Sequence, residues 1–383
     1  MFLGLLSALL GVLILVPRFN RQIWTAQVVL TELPILAAVP GVLAWVGRSS
    51  RIGRLLGLVG IACSVVPYTG WRRSKKQMDA MLQEAFGADY VESIPPQLRK
   101  RMQPTRSLIG NLKHLLWEDD VEITHDVVFA ETPQRTLKCD IYQPQVEKID
   151  GRAYPAVIVI HAGGWRRGDK GKYFAVHNRA LAAQGYVVFD IQHRLTKPDR
   201  VRWPVLMADV RSAVRFVKNH AETYDVDPSR VALYGRSSGS HLALSTAFRA
   251  RDDHADTAVQ AVIAAYGPTD LMLTGPKHDE RVLMLLGATA HENPDIYHDA
   301  SPLEFVDAAV PPTLILQGGK DGLVPMLHAE LLYNRMQLEP VRCALLRVPW
   351  ARHGFDAVRI GSGAQLTQYY VDRFLARSLY GTR

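Results

Sequence analysis

An α/β fold is what this sequence predicts: a mostly parallel sheet with helices on both faces, preceded by an N-terminal hydrophobic helical segment. Beyond Val121, short apolar runs rich in β-branched residues alternate with longer amphipathic ones, and strand alternating with helix means a covered parallel sheet. The first seventy residues hold a disproportionate share of the apolar content. At 383 residues the chain also exceeds the roughly 250–300 at which a single core stops growing, so an extra part belongs at one end.

That N-terminal part comes first in the chain. Phe2 to Val16 is an unbroken run of apolar and small residues closed by Pro17 and Arg18. Thr25 to Val46 carries Glu32 as its one charge, and Leu55 to Trp71 carries none. Each approaches the ~20 residues a helix needs to cross a hydrocarbon core. Pro34, Pro40, Gly41, Gly57 and Gly60 weaken a soluble helix but are tolerated in a bilayer. The competing reading is a signal peptide followed by buried core helices, yet the chain starts without a basic stretch and two more apolar segments follow at once. Residues 1–73 are therefore read as a membrane-anchoring segment of two or three spans. Arg18, Arg21, Arg72, Arg73, Lys75 and Lys76 fall on one side of it, against Arg48, Arg51 and Arg54 on the other. Positive residues favour the cytoplasmic side, which puts the C-terminal domain on the cytoplasmic face of a multi-pass membrane protein.

Composition narrows the partners. The net charge of +8 suggests nucleic acid at first sight. The basic residues are scattered without interleaved aromatics, so no nucleic-acid partner is expected. The cluster Arg72, Arg73, Lys75, Lys76 directly follows an apolar stretch, a position that suits the surface of a lipid bilayer. Cys63, Cys139 and Cys343 are odd in number and lack ligand or redox spacing, so neither a disulfide framework nor a metal site is suggested. Oligomeric state is not legible.

Residues 74–120 are polar, mixed in charge and punctuated by Pro95, Pro96 and Pro104. They read as a linker, with Leu108, Leu112, Leu115 and Leu116 at helical spacing marking an amphipathic helix over 106–117. Residues 121–383 form the α/β domain. Its strand runs are Ala156 to Ile160, Tyr186 to Ile191, Arg230 to Tyr234, Ala261 to Ala265, Thr313 to Gln317 and Ala344 to Val348. Helical patterns cover Tyr173 to Gln184, Trp203 to His220, Ser238 to Ala250 and Met326 to Met336. In such a sheet ligands bind beyond the carboxyl ends of the strands, so the residues after each run matter most.

After the run Arg230 to Tyr234 comes Gly235-Arg236-Ser237-Ser238-Gly239 and then a helix. This is G-x-S-x-G in the strand-turn-helix setting its mechanics require, which lifts the Ser237 hydroxyl above the sheet as a nucleophile. A serine that merely caps the helix is the alternative. After Ala156 to Ile160 stands His161-Ala162-Gly163-Gly164-Trp165, where consecutive glycines can turn N–H donors toward a tetrahedral oxyanion. Gly163, Gly164 and Ser238 are the expected donors, with His161 and Trp165 supporting the loop. Asp321 follows the run Thr313 to Gln317, and His353 follows Ala344 to Val348. Serine, aspartate, histidine is the chain order of this motif: His353 would take the proton from Ser237, and Asp321 would fix its tautomer. His193, after a strand, is the rival base. Asp270, in a turn-like Gly267-Pro268-Thr269-Asp270 setting, is the rival acid, and His241, His328, His177 and His220 read as surface or packing residues.

With these motifs in place, residues from about Val128 to Phe374 resemble the hormone-sensitive-lipase-like esterases, and more closely the feruloyl and acetyl esterase-like branch of the α/β-hydrolases. The resemblance includes Asp140-Ile141-Tyr142-Gln143-Pro144, His161 to Lys170, Pro204 to Tyr224 with Asp209, the elbow at Ser237, Ser301-Pro302-Leu303, and the Asp321 and His353 loops. Ala162 stands where the family has glycine, Arg236 where it has Asp, Glu or His, and Ser240 replaces a glycine. Arg236 either favours substrates with an acidic group or forms a salt bridge supporting the turn. The resemblance implies a serine carboxylic-ester hydrolase working through an acyl-enzyme on small-molecule esters of short acyl or aryl groups, with no metal or organic cofactor. The segment Leu271 to Tyr297 and the linker helix are the expected pocket walls. An amidase such as an arylformamidase, an acyltransferase or deacetylase acting on a lipid or glycan, and a non-catalytic membrane scaffold are the alternatives.

Overall fold

The computed structural model describes residues 1–16, 23–47, 49–102, 121–197, 202–273 and 280–381. The linker helix expected over 106–117 lies outside them.

The N-terminal segment forms α1 (Phe2–Leu15), α2 (Trp24–Glu32), α3 (Ile35–Val46) and α4 (Arg51–Phe86). Ser50 starts α4 by accepting a hydrogen bond from Gly53 N at 3.2 Å, which satisfies one of the orphan donors of the first turn. By length and composition α4 alone is able to cross a bilayer among the described helices; α2 and α3 pass the same test together but meet at a 72° bend. The domain boundary expected at residue 73 falls inside α4, which continues unbroken to Phe86. A short α5 (Pro96–Arg101) follows.

Helices α1, α3 and α4 pack through small residues. Gly4 lies against Gly53, Gly11 against Gly60 and Gly41 against Gly57, so close that a Cβ at Gly60 would overlap Ser7. Ser7 Oγ donates to Ala37 O at 2.7 Å. The large apolar side chains, among them Phe2, Leu5, Leu9, Leu36, Val39 and Leu55, point outward and are exposed.

The α/β domain is built on an eight-stranded sheet of order β1-β2-β4-β3-β5-β6-β7-β8. The strands are β1 (Val121–Glu131), β2 (Thr136–Pro144), β3 (Tyr154–Ile160), β4 (Val187–Ile191), β5 (Val226–Arg236), β6 (Ala261–Ala265), β7 (Thr313–Gly318) and β8 (Cys343–Val348). β2 is antiparallel to both its neighbours, and every pairing from β4 to β8 is parallel. Strands β1 and β2 extend the sheet beyond the six runs visible in the sequence.

Successive residues of each strand serve opposite faces, as the pleat dictates. Ile158 and Leu233 meet Leu206 and Val210 of α7 (Val205–Asn219) and Leu242 of α8 (Ser238–Ala247). Val157, Val159 and Tyr234 belong to the other layer, with Leu181 of α6 (Ala175–Ala182), Met78 and Leu82 of α4, and Tyr370 and Phe374 of the last helix, Ser362–Leu379. The lower half of α4 is thus a covering helix of the α/β domain. Between β6 and the end of the chain lie α9 (Glu280–Leu286), α10 (Pro294–Asp299), α11 (Met326–Met336) and α12, the helix Ser362–Leu379.

Candidate active site

β5 ends at Arg236 and α8 begins at Ser238, leaving Ser237 alone to make the turn. It does so at φ 54° and ψ −121°, a conformation a non-glycine residue adopts only when its surroundings enforce it. Ser237 N donates to Ala265 O of β6 at 2.8 Å. A Cβ at Gly239 would overlap the carbonyls of Ile160 and His161, so glycine there lets the start of α8 sit against the end of β3.

The loops after β7 and β8 bring Asp321 and His353 to the same place. His353 Nε2 lies 2.8 Å from Ser237 Oγ and Nδ1 lies 2.7 Å from Asp321 Oδ2. The Asp321 carboxylate accepts a hydrogen bond from Nδ1–H, which keeps the proton on Nδ1 and leaves Nε2 to accept from the serine hydroxyl. Asp321 is itself fixed: Oδ1 accepts from Leu323 N at 2.8 Å and Val324 N at 2.9 Å, and Oδ2 accepts from Gln317 Nε2 at 3.2 Å. The ring of Tyr266 stands edge-on to His353 with centroids 4.8 Å apart. All three members of the row are buried.

The loop after β3 turns back on itself through three successive positive φ angles, 152° at Gly163, 60° at Gly164 and 60° at Trp165. A Cβ at Gly163 would overlap Arg167 O. Neither Gly163 N–H nor Gly164 N–H is bonded to another described residue. Gly164 and Ser238 border a small cavity of about 40 Å³ over Ser237, whereas Gly163 does not. The cavity walls are Trp165, Pro268, Val282, Leu323 and Val324, with Arg281 and His328 adding polar edges. Arg281 and Val282 come from the segment expected as a pocket wall. His328 accepts from Thr269 N at Nδ1, 3.3 Å, so Nε2 carries its proton.

Trp165 is locked by a buried chain. Its Nε1 donates to His241 Nδ1 at 3.3 Å, and His241 Nε2 donates to Ala300 O at 2.7 Å. Burial, with Arg249 nearby, pushes His241 down to about 4 against the pull of the Ala300 carbonyl. His161 stacks on His193 with centroids 4.3 Å apart. Burial and then the His193 charge push His161 down to about 3, and burial pushes His193 to about 4. These histidines are neutral braces with their Nδ1 protons on the Ala162 and Arg194 carbonyls. Asp270 caps Met272 N at 2.8 Å, as a turn residue does.

Arg236 lies behind the elbow, 1% exposed, with Nε on Asp356 Oδ2 at 2.7 Å. Its guanidinium stacks 4.0 Å from the ring centres of both Phe174 and Tyr234. Tyr266 OH donates to the other Asp356 oxygen at 2.6 Å. Burial raises the Asp356 carboxyl, but Arg236, His177 and Tyr266 together overcome it and hold it below the ordinary carboxylate range. Of the two expectations for Arg236, the structure has the salt bridge. Asp356, Tyr266 and the bridging role of His241 carry no local sequence signal. Asp140 and Lys170, quoted above from separate motifs, form an ion pair at 2.5 Å, and Arg194 pairs with Asp209 at the same distance.

The BD-FAE family model matches residues 139–336. The probable carboxylic ester hydrolase LipM of Mycobacterium tuberculosis (strain ATCC 25618 / H37Rv) is 28% identical over 381 residues, covering 94% of this chain and 87% of LipM. Esterase LipQ of the same organism is 27% identical, covering 75% of this chain and 72% of LipQ. Two solved structures of a Thermogutta terrifontis esterase, Est2, are also similar. The propionate-bound form has a TM-score of 0.56 at 25% identity, covering 69% of this chain and 96% of that one. The butyrate-bound form has 0.54 at 26%, covering 67% and 93%.

Proposed function

The chain belongs to the BD-FAE family of α/β-hydrolases, and from that premise we propose that it is a membrane-anchored serine carboxylic-ester hydrolase acting on small esters. The observation that carries this reading is the double contact of His353, 2.8 Å to Ser237 Oγ and 2.7 Å to Asp321. Ser237 Oγ attacks the ester carbonyl as its proton passes to His353 Nε2. The negative charge on the carbonyl oxygen is met by the N–H groups of Ser238 and Gly164, which border the cavity, with Gly163 shaping the turn that presents Gly164. The imidazolium then protonates the leaving alcohol, and water, deprotonated by the same nitrogen, releases the acid and restores Ser237. Asp321 accepts the hydrogen bond from Nδ1–H throughout and stabilises the imidazolium. The small, mostly apolar cavity over Ser237 suits a short acyl or small aryl group, in keeping with the propionate and butyrate carried by the two similar esterase structures.

The membrane part of the reading rests on an inverted packing pattern. In α1, α3 and α4 glycine and serine face inward and large apolar side chains face out, the arrangement that packs helices in lipid and exposes greasy surface in water. Where α4 leaves its apolar half, Trp71, Arg72, Lys75 and Lys76, with Asp79 paired to Lys75, line an open depression of about 400 Å³, an aromatic and mainly cationic border suited to lipid headgroups. The larger share of basic residues on that side favours the cytoplasmic face for the α/β domain.

A panel of p-nitrophenyl esters of increasing acyl length, assayed on membrane and soluble fractions of the wild type and Ser237→Ala, tests these points together. The reading expects activity in the membrane fraction, greatest for short chains and lost in Ser237→Ala. Activity confined to the soluble fraction would remove the anchor, and undiminished turnover by Ser237→Ala would remove the nucleophile. Protease digestion of sealed vesicles of both orientations tests the sidedness.

A further inference from the structure

We propose that Lys320 and Arg352 are positioning residues that make the first N-terminal helix a working part of the active site. Each directly precedes a member of the row that faces Ser237, Asp321 in one loop and His353 in the other, and both side chains reach away from the site to the carboxyl end of α1. The inference rests on the proposed roles of Ser237, Asp321 and His353.

A helix leaves its last four carbonyls without partners inside itself, and those carbonyls form the negative end of its dipole. At the end of α1, Val16 N still bonds to Val12 O at 3.0 Å, and no backbone N–H among the described residues takes the carbonyls beyond. Lys320 Nζ donates to Ile14 O at 3.2 Å and Leu15 O at 3.3 Å. Arg352 Nη2 donates to Val16 O at 2.6 Å and Leu13 O at 3.4 Å. The carbonyls of Leu13, Ile14 and Leu15, and that of the flanking Val16, are therefore all met by residues of the two loops.

The dependence runs in the other direction as well. Arg352 is 1% exposed, and its Nε and Nη1 meet no acceptor among the described residues. Its hydrogen bonds among those residues are the ones to α1. Burial lowers the pKa of both cations, and Arg352 lowers that of Lys320 further. Without the α1 carbonyls, two neighbouring cations would lose their acceptors among the described residues and repel one another, which would favour a rearrangement of the loops.

Rearrangement of one loop reaches the other. Lys320 N donates to Ala351 O at 2.9 Å and Gly319 N to Val348 O at 2.8 Å, which ties the two loops together. The following residues face the same helices: the Trp24 ring of α2 lies where a Cβ at Gly354 would touch it, and Glu32 accepts from Gly363 N at 2.6 Å at the start of α12. His353 is thus flanked on both sides by contacts with the N-terminal helices. The orientation of the imidazole depends on where α1 ends, and α1 in turn is seated on α4 by the glycine contacts around Ser7 and Gly60.

The test uses the full chain in phosphatidylcholine bilayers, with turnover expressed per active site titrated by a fluorophosphonate, so that misfolded protein drops out of the count. Lys320→Met and Arg352→Met should each lower kcat about ten- to a hundredfold with KM nearly unchanged, the signature of a misplaced base. Arg352→Lys should recover most of the loss. Gly60→Leu, remote from both loops, should lower kcat in the same way by unseating α1, and Lys320→Met added to it should bring little further loss. Wild-type kcat per titrated site in Lys320→Met and Arg352→Met overturns the proposal. If Arg352→Met does not fold, the half-buried Lys320 position decides alone. Asp321→Asn in parallel separates the layers: if it is inactive while Lys320→Met is normal, only the positioning role fails. If Asp321→Asn is normal too, the reading beneath it fails.

Discussion

Arg236 and Asp356, both 1% exposed, form a buried ion pair at 2.7 Å beneath the turn that carries Ser237. The pair is completed by Tyr266 on the second carboxylate oxygen and by aromatic rings on the guanidinium. Arg236 therefore supports the elbow from behind and has no route to a substrate. Arg236→Gln leaves Asp356 charged and buried, a loss of about 3–5 kcal/mol. Thermal unfolding should show that destabilisation, and turnover should fall equally for neutral and acidic esters. A selective loss on acidic esters would return Arg236 to the substrate site.

Asp321 spends one oxygen on two backbone N–H groups and the other on His353. In Asp321→Asn the amide can present the wrong partner to Nδ1, so the imidazole loses the tautomer it needs. A fall in kcat of up to about 10⁴ is expected, with KM changed little. Stopped-flow measurement of the acylation burst checks this, since the loss belongs in the chemical step.

Gly163 occupies φ 152° with Arg167 O where a side chain would go. Gly163→Ala must displace the loop that also presents Gly164, at a cost of about 1–3 kcal/mol in strain. The expected kinetic consequence is a drop in kcat of tenfold or more, as for a mis-aimed oxyanion donor. Unchanged kcat would mean that the loop adapts without moving its donors.

Burial pushes His161 down to about 3 and His177, His193 and His241 down to about 4. Unfolding returns each to about 6.5, so the unfolded chain binds more protons in between. The stability these groups contribute is complete above about pH 6.5 and is lost as the pH falls from there toward 4. For one such group the difference amounts to about 3 kcal/mol. Tm should therefore drop steeply across that window, and His241→Gln should flatten the slope. A Tm independent of pH between 6.5 and 4 would contradict the burial of these rings.

Much of this layout is legible in the sequence, and the gaps have physical causes. Ala261–Ala265 and Met326–Met336 have in the fold the bounds read from the chain, because apolar runs between turn residues need nothing else to define them. Ser237, Asp321 and His353 are legible because each follows a strand, and a parallel sheet puts strand ends together. β1 escapes notice because it is a half-exposed edge strand whose alternation over residues 121–124 is broken by His125 and Asp126, with register shifts along it. α12 carries a mixed sequence, Ser362–Leu379, that becomes a core helix only once the sheet exists to receive it. His241 has nothing beside it in the chain to distinguish it from a packing residue. Its partner Trp165 lies 76 residues away, and Asp356 lies 120 residues from Arg236. Long-range pairing of polar groups is decided by the fold, and no local pattern announces it.

Rapid-quench mass spectrometry during turnover of p-nitrophenyl propionate tests the central claim most directly, because it identifies the atom that takes the acyl group. The account predicts a propionyl adduct on the peptide containing Ser237, formed in the first turnover and absent from Ser237→Ala. An adduct on another residue, or steady turnover by Ser237→Ala at the wild-type rate, would contradict it.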